Sequence, residues 1–109
     1  MKTRPHILVI DDDPLFRTLM MSILGREFIV AVSSEGSEGF QLAIDNPPDI
    51  VIIDLLMPGW DGMRTLQAIK SHPSLNQVKV VIMTSVATRK SVLDAIQSGA
   101  NDYIIKTSF

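Results

Sequence analysis

The chain has 109 residues, of which 46% are apolar and 20% are charged, a balance typical of a single compact domain with one core. The net charge of -2 argues against nucleic-acid binding by this domain alone, and the absence of cysteine excludes disulfides and thiolate metal sites. No apolar run reaches the roughly 18 residues of a membrane helix and no signal peptide is visible, so we expect a cytoplasmic protein.

Strand-like and helix-like segments alternate along the chain. Short unbroken runs of mainly β-branched residues, such as IVII at residues 50–53, are typical of strands buried on both faces. The predicted strands cover residues 6–10, 28–32, 50–53, 78–83 and 102–105. Apolar residues recur at helical spacing between them. The predicted helices cover about residues 14–24, 36–46, 62–71 and 88–98.

Polar residues stand where these helices begin, and their side-chain oxygens can accept hydrogen bonds from the free amides of the first turn. Asp13 precedes Pro14, which suits the first helical position, so a capping role is favoured for Asp13 over a ligand role. The candidate caps are Asp13, Ser33 or Ser34, Asp61 and Thr88.

The alternation predicts an α/β fold, a doubly wound parallel sheet with helices on both faces. Ligands of such sheets bind at the rim formed by the carboxyl ends of the strands. Five polar residues follow predicted strands and share that rim: Asp11, Asp12, Asp54, Thr84 and Lys106. Each of these residues alone is more often a turn or surface residue, and it is their shared position that indicates a site.

The chemistry of this rim favours phosphoryl transfer. Three close carboxylates repel one another and therefore call for a cation, and hard oxygen ligands favour Mg²⁺ or Mn²⁺ over zinc. A carboxylate beside bound Mg²⁺ can attack phosphorus and become an acyl phosphate. Asp54, at the end of the central strand, is the candidate nucleophile, while Lys106 and Thr84 offer donors to phosphoryl oxygens.

Four segments of the chain resemble receiver domains of two-component response regulators. They are ILVIDDDPLFR, DIVIIDLLMPGWDG, VVIMTS and GANDYIIK, in that order. The resemblance covers nearly the whole chain. It implies a flavodoxin-like five-stranded sheet in the order 2-1-3-4-5 and a single receiver domain over residues 1–109.

The resemblance also implies roles for individual residues. Asp54 would accept a phosphoryl group from a sensor histidine kinase or a histidine phosphotransfer protein, in a signalling domain that is not an enzyme. The implied ligands of Mg²⁺ are Asp12, Asp54 and the backbone carbonyl of Leu56, with Asp11 acting through water.

The remaining implied roles concern binding and switching. Thr84 and Lys106 would bind the phosphoryl group, and Tyr103 matches the switch aromatic that turns inward as Thr84 moves. Phosphorylation would then bias a surface around the fourth helix and fifth strand toward a second state. An output domain would lie C-terminal to the receiver.

The sequence departs from the receiver pattern near its end. Thr107 follows Lys106, where the family usually has a proline joined through a cis bond, so we predict a trans bond or a strained loop there. Receivers also have a fifth helix beyond this point, and the chain is C-terminally short of it. We expect an apolar patch beside strand five that favours a homodimer.

The resemblance to receivers also points to the two positions that tune the lifetime of the phosphoryl group in that family. They are Leu56, two residues after Asp54, and Val86, two residues after Thr84. Neither side chain can orient an attacking water, so we predict slow self-dephosphorylation.

Two other interpretations fit part of the pattern. An aspartate-nucleophile phosphohydrolase would share the metal and the nucleophile, but such enzymes usually carry a second aspartate where this chain has Leu56. A receiver-like interaction module that is never phosphorylated is favoured by Thr107 and by the missing helix, whereas the full acidic set and Lys106 argue against it.

Overall fold

The computed structural model describes residues 4–106. Five strands and four helices alternate along this part of the chain. They are β1 (His6–Ile10), α1 (Pro14–Leu24), β2 (Ile29–Ser33), α2 (Gly36–Asp45), β3 (Ile50–Ile53), α3 (Gly62–Ser71), β4 (Lys79–Thr84), α4 (Arg89–Gln97) and β5 (Asp102–Ile105). No helix of the described residues is long and apolar enough to cross a membrane.

All five strands are parallel and lie in the order β2-β1-β3-β4-β5, which confirms the predicted flavodoxin-like sheet. In the register of the central strands, Ile10 lies opposite Ile53, and Ile53 lies opposite Ile82. The residues that follow these positions therefore meet at one edge of the sheet.

The sheet has an apolar core on each face. On one face, α2, α3 and α4 pack over β-strand residues such as Ile53 and Ile82. On the other face, Phe16 and Met20 of α1 pack against Val9, Ile52 and Met83, among others. Because both faces of the central strands are buried, their sequences are continuously apolar rather than alternating.

Three of the four predicted helix caps are confirmed. The Asp13 carboxylate accepts from the Leu15 amide at 3.0 Å and the Asp61 carboxylate from the Arg64 amide at 2.8 Å. Thr88 caps α4 in the same way, through the amide of residue 91. These contacts satisfy amides that have no partner within the helix.

The predicted cap of α2 is wrong. Glu35 is its N-cap residue and makes no capping hydrogen bond through its side chain, while Ser33 is the last residue of β2. The strand is shifted by one residue because the Phe28 amide donates to the carbonyl of Leu24, which keeps Phe28 in the preceding turn. The Ser33 hydroxyl instead lies 2.7 Å from the carboxylate of Glu38, in the first turn of α2.

The apolar patch predicted beside strand five would lie on the sheet face that α1 covers. In residues 4–106, α1 is the one helix whose buried residues pack on this face, and no helix follows β5. Ile104 of β5, which lies opposite Met83, is 39% exposed. The bond between Lys106 and Thr107 lies outside the described residues, and the homodimer stays a prediction.

Candidate functional site

Asp11 and Asp54 lie side by side at the carboxyl edge of the sheet. Each directly follows a central strand, and the Asp54 amide donates to the carbonyl of Ile10 at 3.1 Å, which continues the pairing of β1 with β3. Asp11 is 1% exposed and Asp54 is 8% exposed. The parallel register thus places two buried carboxylates next to each other.

Asp12 completes a group of three acids. Carboxylate oxygens of Asp11, Asp12 and Asp54 all lie within 4.8 Å of one another, with Asp12 on the solvent side. Three hard, anionic oxygen donors at the mouth of a loop are the chemistry that Mg²⁺ or Mn²⁺ binds, and the open side leaves room for the waters that Mg²⁺ retains. The residues present therefore fit a divalent cation.

Lys106 reaches the same group from the end of β5. Its Nζ donates to Asp11 Oδ2 at 2.6 Å and to Asp54 Oδ2 at 3.0 Å. The ammonium also lies over the Phe16 ring, 3.9 Å from the ring centroid. One cation thus bridges the two buried carboxylates, and the fold brings it there from 95 and 52 residues away in the chain.

Burial and charge act in opposite directions on these groups. Burial raises the pKa of the Asp11 carboxyl above its ordinary 3.8, and this effect outweighs the opposing influence of Lys106. Burial alone lowers the pKa of the Lys106 ammonium, but the hydrogen bonds and charges of Asp11 and Asp54 prevail and raise it above 10.5. A charged lysine is therefore favoured beside the Asp11 carboxylate, which burial makes costly to keep ionised.

The carboxylates are oriented by contacts from their own loops. The Asp13 amide donates to Asp11 Oδ1 at 2.9 Å, and the Leu56 amide donates to Asp54 Oδ1 at 3.2 Å. The Arg17 guanidinium donates to the backbone carbonyl of Asp11 at 2.7 Å. Neither Arg17 nor Phe16 follows a strand, so no sequence pattern marks these two residues as neighbours of the site.

Gly62, the first residue of α3, lets this helix begin directly against the site. A Cβ atom at this position would lie 2.3 Å from the Asp54 carbonyl oxygen and 2.6 Å from the Leu55 Cα, both of which are backbone atoms. In the same loop, Gly59 has a φ of 72°, which residues with a side chain rarely adopt. The loop after Asp54 thus depends on two glycines for different reasons.

Thr84 and Tyr103 form a second group, joined through Val86. The Thr84 side chain is buried at the end of β4, and its Oγ1 accepts from the Val86 amide at 3.4 Å. The Tyr103 hydroxyl donates to the Val86 carbonyl at 2.7 Å. Burial, and next the charge of Asp54, raise the pKa of Tyr103 above 10.0. The loop before α4 is therefore tied to both predicted switch residues.

A parallel sheet in the order 2-1-3-4-5 with an acidic cluster and a lysine at its carboxyl edge defines a receiver-like α/β domain. The family model of the response regulator receiver domain matches residues 7–108. The chain belongs to this family, which confirms the resemblance inferred from the four sequence segments.

The relatives of the chain include two bacterial transcriptional regulatory proteins. It is 32% identical to LiaR of Bacillus subtilis over 106 residues, which cover 94% of this chain and 49% of that protein. It is 31% identical to SrrA of Staphylococcus aureus over 102 residues, covering 93% of this chain and 41% of that protein. The chain thus spans half or less of the length of these relatives.

Solved structures match the whole fold. The BeF3-activated N-terminal receiver domain of Klebsiella pneumoniae RstA is 30% identical, with a TM-score of 0.86, and the match covers 94% of this chain and 86% of that one. The chemotaxis protein CheY4 of Vibrio cholerae, at 18% identity, shares the fold with a TM-score of 0.90 over 96% of this chain and 88% of that one.

Proposed function

We propose that this chain is the phosphoacceptor domain of a two-component phosphorelay and that Asp54 carries the phosphoryl group. One observation carries the proposal: Asp54 directly follows the central strand β3, lies within a three-carboxylate cluster and is paired with Lys106. Such a site combines a nucleophile, a set of metal ligands and a fixed cation. These are the components that phosphoryl transfer to a carboxylate needs.

The metal ligands would be Asp12, Asp54 and the backbone carbonyl of Leu56, with Asp11 acting through water. Mg²⁺ or Mn²⁺, when bound, supplies positive charge that offsets both the carboxylates and the phosphoryl oxygens. The acidic cluster of this chain supports this assignment, because its donors are all hard oxygens.

In the transfer step, a carboxylate oxygen of Asp54 attacks the phosphorus of a phosphohistidine. A P–O bond forms while the P–N bond breaks, and the electron pair of that bond stays on the imidazole of the donor protein. Lys106 moves from carboxylate to phosphoryl oxygen, a change of partner within hydrogen-bonding reach of its present position. The Thr84 hydroxyl donates to a second phosphoryl oxygen.

The switch follows from the contacts of Val86. When Thr84 turns its hydroxyl to the phosphoryl group, the Val86 amide loses its 3.4 Å hydrogen bond to Thr84 Oγ1. The loop that contains Val86 then shifts, and with it the carbonyl that accepts from the Tyr103 hydroxyl. The change is transmitted to the surface of α4 and β5. This surface then prefers different partners in the two states.

The partners follow from the chemistry and from the relatives. The donor would be a cytoplasmic sensor histidine kinase or a histidine phosphotransfer protein. Because LiaR and SrrA are longer transcriptional regulatory proteins, we propose that the domain, residues 1–109, controls a C-terminal output domain and does not itself bind nucleic acid. With Leu56 and Val86 beside the site, the aspartyl phosphate would be lost slowly, so the domain is a signalling component rather than an enzyme.

Intact-mass measurement tests the central claim. The chain would be incubated with Mg²⁺ and acetyl phosphate beside an Asp54→Asn control. We expect one phosphoryl group on the wild-type chain and none on the control. A chain that stays unmodified would favour the unphosphorylated interaction module, and turnover of a phosphomonoester would favour the phosphohydrolase.

A further inference from the structure

Phe16 gives Lys106 a neighbour that is not a carboxylate. The Lys106 Nζ lies 3.9 Å from the centroid of the Phe16 ring. Phe16 is 6% exposed and packs in the apolar cluster beneath α1, so its ring is held in place. An ammonium within about 6 Å of a ring centroid is attracted by the negative face of the ring, and more strongly where water is excluded.

The two carboxylates that bind Lys106 have a competing task. Asp11 and Asp54 belong to the cluster whose oxygens fit a divalent cation. A carboxylate oxygen that faces a metal ion is less available as a hydrogen-bond acceptor for the Lys106 ammonium. The Phe16 ring offers no ligand to a hard cation, so its contact with Lys106 does not compete with metal binding.

The Lys106 side chain also has space for a second position. A cavity of about 260 Å³ adjoins its side chain. The cavity is lined by Asp13, Leu15, Phe16, Leu19 and Lys106. Leu15 is 76% exposed, so the cavity is open to water, and Asp13 offers an alternative carboxylate. A lysine released by its partners could swing into this space, and the attraction to the ring opposes that movement.

We propose that Phe16 is a positioning residue, whose ring face keeps the Lys106 ammonium beside Asp54 while Asp54 binds the metal and Asp11 supports it through water. The inference rests on the proposed phosphoacceptor function and adds to it a residue that is neither the nucleophile nor a metal ligand. It predicts that the electron density of the ring, and not only its bulk, sets the rate of phosphoryl transfer.

Fluorinated phenylalanines at position 16 test this prediction, because ring fluorines weaken the negative face with little change of shape. With one, two and three fluorines, we expect the rate of Asp54 phosphorylation by acetyl phosphate at saturating Mg²⁺ to fall stepwise, by about 3- to 10-fold in all. Phe16→Leu should show a similar fall without weaker Mg²⁺ binding, since Lys106 then competes less for the carboxylates.

Phe28→Leu is the matched control, since Phe28 is a second phenylalanine packed against the same apolar cluster. We expect it to keep the wild-type rate. A rate that does not depend on fluorination would overturn the inference, as would an equal loss in the Phe16→Leu and Phe28→Leu variants, because both results would assign Phe16 a packing role only.

An NMR measurement separates this inference from the proposed function. The ε-methylene protons of Lys106 should be shifted upfield by the Phe16 ring, with and without Mg²⁺, and Phe16→Leu should abolish the shift. A chain that shows the shift but takes no phosphate would sink the phosphoacceptor function and leave the contact. A chain that is phosphorylated but loses the shift on Mg²⁺ binding would sink this inference alone.

Discussion

Tyr103 is a single-residue probe of the site, because it is the one tyrosine of the chain. Burial and the Asp54 charge both raise the pKa of its hydroxyl above 10.0. We therefore expect the tyrosinate absorbance of the folded protein to appear at a higher pH than that of the denatured chain. Asp54→Asn should lower this pKa because it removes the second cause, and phosphorylation of Asp54 should raise it.

The sign of the effect on stability follows from proton binding. As pH rises through 10.0, the denatured chain releases the tyrosine proton before the folded chain does. The unfolded state then binds fewer protons, so the free energy of unfolding falls until the folded pKa is passed. Tyr103→Phe should lack this component in denaturation experiments. An equal alkaline loss in Tyr103→Phe and the wild type would contradict the assignment.

Asp13 lies beside the acidic cluster but acts as a helix cap. Asp13→Ala removes the oxygen that accepts from the Leu15 amide, and we expect the free energy of unfolding to fall by about 1 kcal/mol. The backbone amide that binds Asp11 remains, so Mg²⁺ affinity should change little. Urea denaturation and Mg²⁺ titration measure the two quantities. A large loss of affinity would instead make Asp13 a ligand.

Among single residues, the sequence predicted which polar side chains meet at the carboxyl edge of the sheet, because that depends on their position after a strand. Asp54 and Lys106 each follow a strand. Because the strands are parallel, the residues that follow them lie at the same edge of the sheet. Phe16 and Arg17 act across the fold, one under the Lys106 ammonium and one on a backbone carbonyl. No local pattern marks such contacts, so they became visible only in the structure.

At the scale of elements, α2 shows where helix propensity misleads. Gly36 would be expected to weaken the helix by roughly 1 kcal/mol relative to alanine. In the structure it is buried against α3, and a Cβ atom would lie 2.1 Å from Thr65 Oγ1 and 2.9 Å from the Trp60 carbonyl oxygen. We therefore predict that Gly36→Ala destabilises the protein, by about 1–3 kcal/mol, because two packed helices would have to separate.

Ser37→Ala provides the control for this substitution, because Ser37 is the next residue of the same helix and is exposed. Its effect should stay within about 0.5 kcal/mol. Chemical denaturation of the two variants beside the wild type measures both. A stabilised Gly36→Ala protein would mean that propensity prevails over the packing of α2 on α3.

The boundaries of elements were predicted where one residue decides them. Asp13, Asp61 and Thr88 each cap a helix through their own side chain, and each was identified from sequence. The start of α2 at Gly36 was also predicted, but its cap was not, because β2 runs through Ser33 once the Phe28 amide binds the Leu24 carbonyl in the preceding turn. A side-chain pattern does not report such a backbone contact.

At the scale of the whole molecule, the alternation of buried strands and helices was enough to predict the parallel α/β architecture, because few other arrangements bury strands on both faces. The strand order came from the family resemblance. The alternation alone does not specify on which side of β1 each later strand is added. Packing of the helices on the two faces decides this, and that information is spread over many residues, such as Gly36 and Phe16.

The acidic cluster should make the stability of the whole domain depend on the metal. Three carboxylates cluster at the edge of the sheet, and the Lys106 ammonium is paired with two of them, Asp11 and Asp54. A cation that binds only the folded chain raises the free energy of unfolding, by about 2.7 kcal/mol when its free concentration is 100 times Kd. We expect thermal unfolding to shift upward with Mg²⁺ in the wild type and much less in Asp54→Asn, which removes an anionic donor. Equal shifts in both proteins would mean that Mg²⁺ binds elsewhere and would leave Lys106 as the cation that balances the site.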